Sequence, residues 1–235
     1  MEGKSLSESG LTTTGADGAE PRERRGSVAD VRHTKEHWSI GFTQHATDLF
    51  ISEKIGQVTE CGATAVGNEF PSSGAWVSAF GLCVIFQDHP PEQNRPFALQ
   101  FVRRVEVAFG EYSRAVEYLS DLVNRGPGRW SPYFRALYHF EAAISQLYLA
   151  YDGGRRKLGA DYFKSGDDSA LDRLNKVYNA SKHQIARAEQ TLWITNDGVC
   201  SDDASIAFVE IEDLLRSYGQ IANRMTNQKH APDDA

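Results

Sequence analysis

The sequence feature that most constrains the fold is a long helical repeat of apolar side chains that begins at residue 97. These side chains recur at steps of three and four residues: Phe97, Phe101, Val105, Ala108, Tyr112, Val116, Leu119 and Val123. That spacing places them on one face of a single long α-helix. Gly126 and Pro127 come next and predict where this helix stops.

Three further amphipathic segments follow. They are predicted as helices at residues 133–152, 168–190 and 204–225, and the first of them is expected to end before the pair Gly153-Gly154. The third segment carries its apolar stripe on one side and a row of polar side chains on the other.

A short turn-rich stretch separates the last two of these helices. Asp197-Gly198 is a tight-turn signal and indicates a short hairpin. Four long helices with short connections predict an all-α fold, an antiparallel four-helix bundle spanning residues 97–226. Residues 227–235 are expected to form a frayed tail.

The region before the bundle has a different composition. Residues 1–36 are rich in Gly, Ser, Thr and charge, and we expect a disordered N-terminal tail because such a segment buries too little apolar surface to offset its ordering entropy. Residues 37–96 form an additional mixed segment, packed on the bundle or preceding it, with one helix near 43–57. Within it, the apolar run 74–86 predicts a buried strand or a core helix, and Pro90-Pro91 marks a loop.

Composition excludes several classes of function. A net charge of −7 argues against a protein that binds nucleic acid by bulk electrostatics, although it leaves room for a local basic site. The three cysteines, Cys61, Cys83 and Cys200, form no CxxC pair and favour free thiols in a reducing compartment. The start of the chain lacks an apolar core, and no apolar run is long enough to span a bilayer. We therefore expect a cytoplasmic protein without a membrane partner.

One carboxylate falls on an apolar stripe. Glu141 lies among Leu137, Ile144 and Tyr148, so that its side chain is expected to be partly buried and to need a partner. One interpretation makes it an acid or base with a raised pKa, or a metal ligand. The other makes it a structural hydrogen bond to a tyrosine or to a helix end.

Other chemistry-bearing patterns are weak. His33 and His37 have the helical spacing of metal ligands but no third ligand nearby, and we expect no metal site. The GxSxG pattern of serine hydrolases and the GxxxxGK loop of phosphate-binding proteins are both absent, and we expect no cofactor.

The stretch RLNKVYNASKHQIAR, residues 173–187, supplies the main candidate site. Asn179 and His183 are four residues apart and point roughly away from the apolar stripe. Lys176, Lys182 and Arg187 flank them, which makes this helix slightly basic in an acidic protein. The residues alone are compatible with an ordinary solvated face or with half of a site.

A helical bundle that carries YNASKH late in the chain, then LWITNDG and a last amphipathic helix, resembles the HEPN superfamily and its bacterial relatives over residues 97–226. The resemblance implies a homodimer, often a metal-independent ribonuclease of a defence or toxin–antitoxin system, with its active site on the outside of the bundle at the dimer cleft. The family motif is an arginine, four to six residues, and then a histidine. This sequence departs from it, because Lys176 stands at the widest spacing before His183 and the nearest upstream arginine is Arg173.

From this resemblance we expect a protein that interacts with RNA or a nucleotide and has weak ribonuclease activity. His183 would act as general acid and base, Asn179 would orient it, and Lys176, Lys182 and Arg187 would contact phosphate. The alternative is a non-catalytic helical module that binds a protein partner. A helical enzyme built around Glu141 is a third hypothesis.

Overall fold

The fold is built on a pair of long antiparallel helices, α3 (Arg95–Arg125) and α4 (Trp130–Leu158). The computed structural model describes residues 50–125, 130–159, 161, 163–183 and 192–226. Arg104 of α3 hydrogen-bonds Gln146 of α4, with Nη1 2.8 Å from Oε1, and further along the rings of Tyr112 and Phe140 meet edge to face. The predicted apolar stripe of α3 faces this contact, and the helix runs to Arg125. Gly126 and Pro127, which predict its end, lie outside the described residues.

The prediction that α4 ends before Gly153 is wrong. The helix continues through both glycines to Leu158, because Asp152 forms ion pairs with Arg155 and Arg156 across its last turns, at 3.0 and 2.8 Å. It is ended by Gly159, whose φ of +66° is left-handed and whose N–H donates to the carbonyl of Arg155.

Among the described residues, two shorter helices precede α3 and α4. They are α1 (Phe50–Gln57) and α2 (Trp76–Gln87), and short 3₁₀ turns lie at Val66–Glu69, Ser73–Ala75 and Glu92–Asn94. Helix α2 is the apolar run that was expected to be a strand or a core helix. Only one of its faces, carrying Trp76, Phe80 and Cys83, is buried against α3 and α6.

Helix α5 (Ala170–His183) packs on α4. It begins two residues later than expected: Asp168 has a left-handed φ of 57°, and the Ser169 hydroxyl accepts a hydrogen bond from the Asp172 N–H at 3.2 Å, as an N-cap does. The predicted end of this helix at Gln190 lies outside the described residues.

A small antiparallel sheet, order β1-β2-β3, connects α5 to the last helix. Its strands are β1 (Trp193–Ile194), β2 (Gly198–Cys200) and β3 (Ser205–Ala207), so that the predicted hairpin is present and a third strand joins it. Helix α6 (Phe208–Thr226) therefore begins four residues later than predicted.

The late start of α6 has a local cause. Ile206 pairs with Val199 across β2 and β3, and both side chains are fully buried. The helix is then capped from within, since the Ala207 N–H donates to Glu210 Oε2 at 3.0 Å.

The chain is mostly helical, with a small three-stranded sheet in its C-terminal part. The arrangement as an antiparallel four-helix bundle stays a prediction. The predicted tails, 1–36 and 227–235, lie outside the described residues. Within the described part of the chain, every helix is too short or too polar to cross a lipid bilayer.

Candidate functional site

The polar face of α5 carries the residues that the sequence singled out. Leu174 and Val177 are fully buried, whereas Asn179 lies on the other side of the helix and is half-buried. Its Nδ2 donates to Asn175 Oδ1, one turn earlier, at 3.0 Å. His183 is the last residue of α5 and follows Asn179 by one turn on the same face; its side chain lies outside the described residues.

Lys176 belongs to a structural ion pair. Its Nζ lies 2.8 Å from Oδ2 of Asp172, a carboxylate that is fully buried and also accepts the backbone N–H groups of Gly166 and Asp168. The hydrogen bond from Lys176 and those from the backbone lower the pKa of Asp172, and the carboxylate raises the pKa of Lys176. The charge of Asp172 offsets that of Lys176, which makes Lys176 a weaker phosphate contact than a lysine without a carboxylate partner.

Arg173, the nearest upstream arginine, is held in the same way. Its guanidinium binds both carboxylate oxygens of Glu210, with Nε at 3.1 and 3.2 Å, and also pairs with Asp168. These hydrogen bonds raise the pKa of Arg173 and fasten α5 to the first turn of α6. Arg173 is therefore a structural arginine in this chain.

Lys182 and Arg187 are the other two predicted phosphate contacts, and the structure describes the first of them. Lys182 is exposed, and it forms no ion pair with another described residue. Arg187 lies outside the described residues. Of the three predicted phosphate contacts, Lys182 is thus the one described as an accessible cation.

Glu141 is half-buried on α4, as an acid on an apolar stripe is expected to be. Its Oε2 accepts a hydrogen bond from Ser181 Oγ of α5 at 3.2 Å, where the sequence analysis had named a tyrosine or a helix end as the partner. Ser181 and Asn179 are two residues apart and so lie about 200° apart around the helix. The structure therefore does not bring Glu141 together with the polar face of α5.

A second buried carboxylate was missed by the sequence analysis. Glu212 of α6 is 4% exposed; its Oε1 accepts the Tyr112 hydroxyl at 2.8 Å and the Thr64 N–H at 2.7 Å. Burial and the neighbouring Glu212 charge raise the pKa of Tyr112. The only sequence signal was its place between Ile211 and Leu215, beside the apolar stripe.

The structure also shows a cleft between the first turns of α3 and the last turns of α4. Its volume is 550 Å³, and its walls include Phe97 and Phe101 from α3 and Ala150 and Gly153 from α4. The sequence marks the end of α4, residues 151–157, as a basic, glycine-rich turn that could touch a phosphate or be a solvated helix end, and it gives no sign that the start of α3 belongs to a site. Recognising the cleft requires the register of one helix against the other, which a periodic pattern does not supply.

A metal centre has no counterpart in what the structure describes. Among the described residues, no three His, Cys, Asp or Glu side chains lie close enough together to hold a metal ion. The pair His33 and His37 lies outside the described residues. The thiols of Cys61, Cys83 and Cys200 are all free.

Comparison with known proteins adds no family to these observations. No protein-family model, no curated protein and no solved structure matches this chain, and its resemblance to the HEPN superfamily stays a prediction from the sequence.

Proposed function

We propose that this chain is a HEPN-like protein that interacts with RNA or a nucleotide through the polar face of α5 and has weak, metal-independent ribonuclease activity. One observation supports the proposal above the others. Helix α5 buries Leu174 and Val177 fully on its apolar side, while Asn179, the exposed Lys182 and position 183 follow one another on its outer side.

The chemistry assigns a role to each of these residues. A histidine at position 183 can take a proton from a ribose 2′-hydroxyl and return one to the leaving oxygen. A cation must then stabilise the charge that develops on the phosphorus oxygens. Because Lys176 is held by Asp172, the accessible Lys182 is the better candidate for that role.

Replacing His183 with alanine is expected to lower the rate of RNA cleavage by about 10² to 10⁴-fold, as loss of a general acid and base does. The melting temperature should stay unchanged, because residue 183 lies on the polar face of α5, one turn after Asn179. The measurement is cleavage of a labelled RNA in EDTA, with the products examined for 2′,3′-cyclic ends. His89→Ala, which removes a histidine next to α3, is the control and should cleave like the wild type.

If neither the wild type nor His183→Ala cleaves or binds RNA, this function is ruled out. If both proteins cleave at the same rate, the activity belongs to another site or to a contaminant, and the role of His183 is wrong.

A second candidate is a non-catalytic interaction module, which the outer face of α2 favours. Leu82, Ile85 and Phe86 are 55%, 73% and 78% exposed and adjoin one another on this helix. An exposed apolar patch of this kind marks a contact surface more often than a plain solvated one.

The partner that fits this face is a second copy of the chain. Helix α2 carries no charged side chain, so that two copies of a protein with a net charge of −7 can meet there without opposing like charges. A two-fold axis would bring the same patch of each copy into contact.

Phe86→Gln is expected to weaken such a dimer by about thirtyfold in Kd, the effect of losing a central apolar anchor. Light scattering after size-exclusion chromatography over a range of concentrations measures it. The control is Phe134→Gln, an aromatic residue on α4 that is 42% exposed. A wild-type chain that stays monomeric at every concentration rules out this candidate.

A further inference from the structure

The cleft between α3 and α4 exists because small residues face large ones. Ala150 and Gly153 of α4 stand opposite Phe97 and Phe101 of α3, so that no side chain fills the space between the helices. A Cβ placed on Gly153 would already lie 4.0 Å from the Phe97 ring. The volume of 550 Å³ lies within the range of small-molecule binding sites.

A half-buried cation lines this cleft. Arg104 donates from Nη1 to the neutral amide oxygen of Gln146 at 2.8 Å, and it forms no ion pair with any carboxylate in the described part of the chain. That bond occupies one of the five N–H donors of its guanidinium. A partly desolvated guanidinium with free donors is best satisfied by an anion, which it can hold with two parallel hydrogen bonds.

The charge of the cleft is positive in a protein that is negative overall. Arg156 also lines it, and its Nε is paired with Asp152 at 2.8 Å. Asp152 also pairs with Arg155 at 3.0 Å, and Arg155 has a second carboxylate in Asp161. The charged side chains that line the cleft are Arg104, Arg156 and Asp152, so that the positive charge of Arg104 is the one left without a carboxylate. A bound anion would offset the remaining positive charge.

The aromatic wall narrows the class of ligand. Phe97 lines the cleft and is half-exposed, so that a flat ring can pack on the uncovered part of its side chain. Gln100, which also lines the cleft and is exposed, offers an amide to the polar edge of a ring or to sugar hydroxyls.

We propose that the α3–α4 cleft binds a nucleoside monophosphate, with the phosphate on Arg104 and the base against Phe97. This site is separate from the polar face of α5, and it goes beyond the function proposed above. Binding here requires neither His183 nor RNA cleavage, so that the failure of one proposal leaves the other standing.

The test is calorimetric titration of the full chain with adenosine 5′-monophosphate, adenosine and inorganic phosphate. We expect the nucleotide to bind at least tenfold more tightly than either part alone, since the site contacts both ring and phosphate. Inorganic phosphate that binds as tightly as the nucleotide would overturn the proposal, as would a wild-type chain that binds none of the three.

Two neighbouring glycines provide a matched pair of variants. Gly153→Leu places a side chain in the cleft. Gly154 does not line the cleft, and a Cβ placed on it would have no other atom within 4 Å. Both changes remove a glycine from the same helix and have similar effects on helix propensity. Nucleotide binding should weaken at least tenfold in Gly153→Leu and stay unchanged in Gly154→Leu; equal affinities would contradict the site.

A second pair of variants removes a positive charge and does not fill the cleft. This pair tests the nucleotide site even if Gly153→Leu does not fold. Arg104→Gln should weaken nucleotide binding at least tenfold and leave adenosine binding unchanged. Arg103→Gln, at an exposed neighbouring position outside the cleft, should bind like the wild type. A loss of equal size in both variants would show a general charge effect and not a site.

Discussion

Glu212→Ala is expected to lower the free energy of unfolding by about 3 kcal/mol, the usual result of removing one partner from a buried polar pair. The carboxylate is 4% exposed and satisfies two donors, the Tyr112 hydroxyl and the Thr64 N–H. Without it, the hydroxyl of Tyr112, which is 1% exposed, has no acceptor in the core. Urea denaturation followed by far-UV circular dichroism measures the change.

The neighbouring acid is the control for this prediction. Glu212 and Asp213 both lie beside Arg216, at 3.6 and 2.9 Å, but the Asp213 side chain is 68% exposed. Asp213→Ala should therefore change the free energy of unfolding by less than about 1 kcal/mol, as exposed ion pairs do. If the two alanine variants have the same stability, Glu212 is not the anchor that its geometry indicates.

A double-mutant cycle separates the hydrogen bond from the rest of the effect. Tyr112→Phe removes the hydroxyl that Glu212 accepts and leaves the ring packed on Phe140. We expect it to be less harmful than Glu212→Ala, and the two changes together to destabilise the protein less than the sum of their separate effects. Strict additivity would mean that the Tyr112 hydroxyl does not contribute, and that Glu212 acts through its contacts with Thr64 and Arg216.

The long helices were predictable from the sequence because their stability depends on a repeating local pattern. The apolar stripe that begins at Phe97 predicted α3 correctly. The same rules failed at Gly153 and Gly154, since a pair of glycines ends a helix only when nothing else holds it. Here the ion pairs of Asp152 hold it, and those depend on side-chain geometry.

The strand β3 was missed for a related reason. Ser205, Ile206 and Ala207 continue into an amphipathic helix without a break in the pattern, so that propensity favours a helix from residue 204. The pairing of Ile206 with Val199, made by residues seven apart in the chain, overrides it. Tertiary pairing of this kind has no local signature.

The candidate site on α5 was also predictable from the sequence only in part. The register of Asn179 and His183 on one face of α5 follows from their spacing alone. That Lys176 is engaged could not be read from the sequence, because burial of Asp172 depends on how the turn at 164–169 folds over the helix start. Lys182 carries the same charge and is exposed, and only the three-dimensional structure distinguishes the two lysines.

Gly198→Ala is expected to have the other large effect, a loss of about 3 kcal/mol or more in the free energy of unfolding. Gly198 begins β2 opposite Ala207, and a Cβ there would lie 2.3 Å from the Ile206 carbonyl oxygen and 3.0 Å from the Ala207 Cα. These are backbone atoms of the paired strand, so that no side-chain rotation can relieve the clash. The φ of Gly198 is not left-handed, and the requirement for glycine is therefore one of space.

The damage should extend beyond the sheet. The turn before Gly198 carries the Asp197 carbonyl, which accepts the Phe208 N–H at 2.7 Å at the first residue of α6. Separating β2 from β3 would release this bond and loosen Phe208, whose ring is buried and stacks on Phe140 in the core. Thermal denaturation compared with Gly154→Ala, a helix glycine with open space around it, measures the effect. Gly154→Ala should stabilise α4 by up to about 1 kcal/mol, and a Gly198→Ala variant of equal stability would mean that β2 and β3 are not paired as closely as the structure has them.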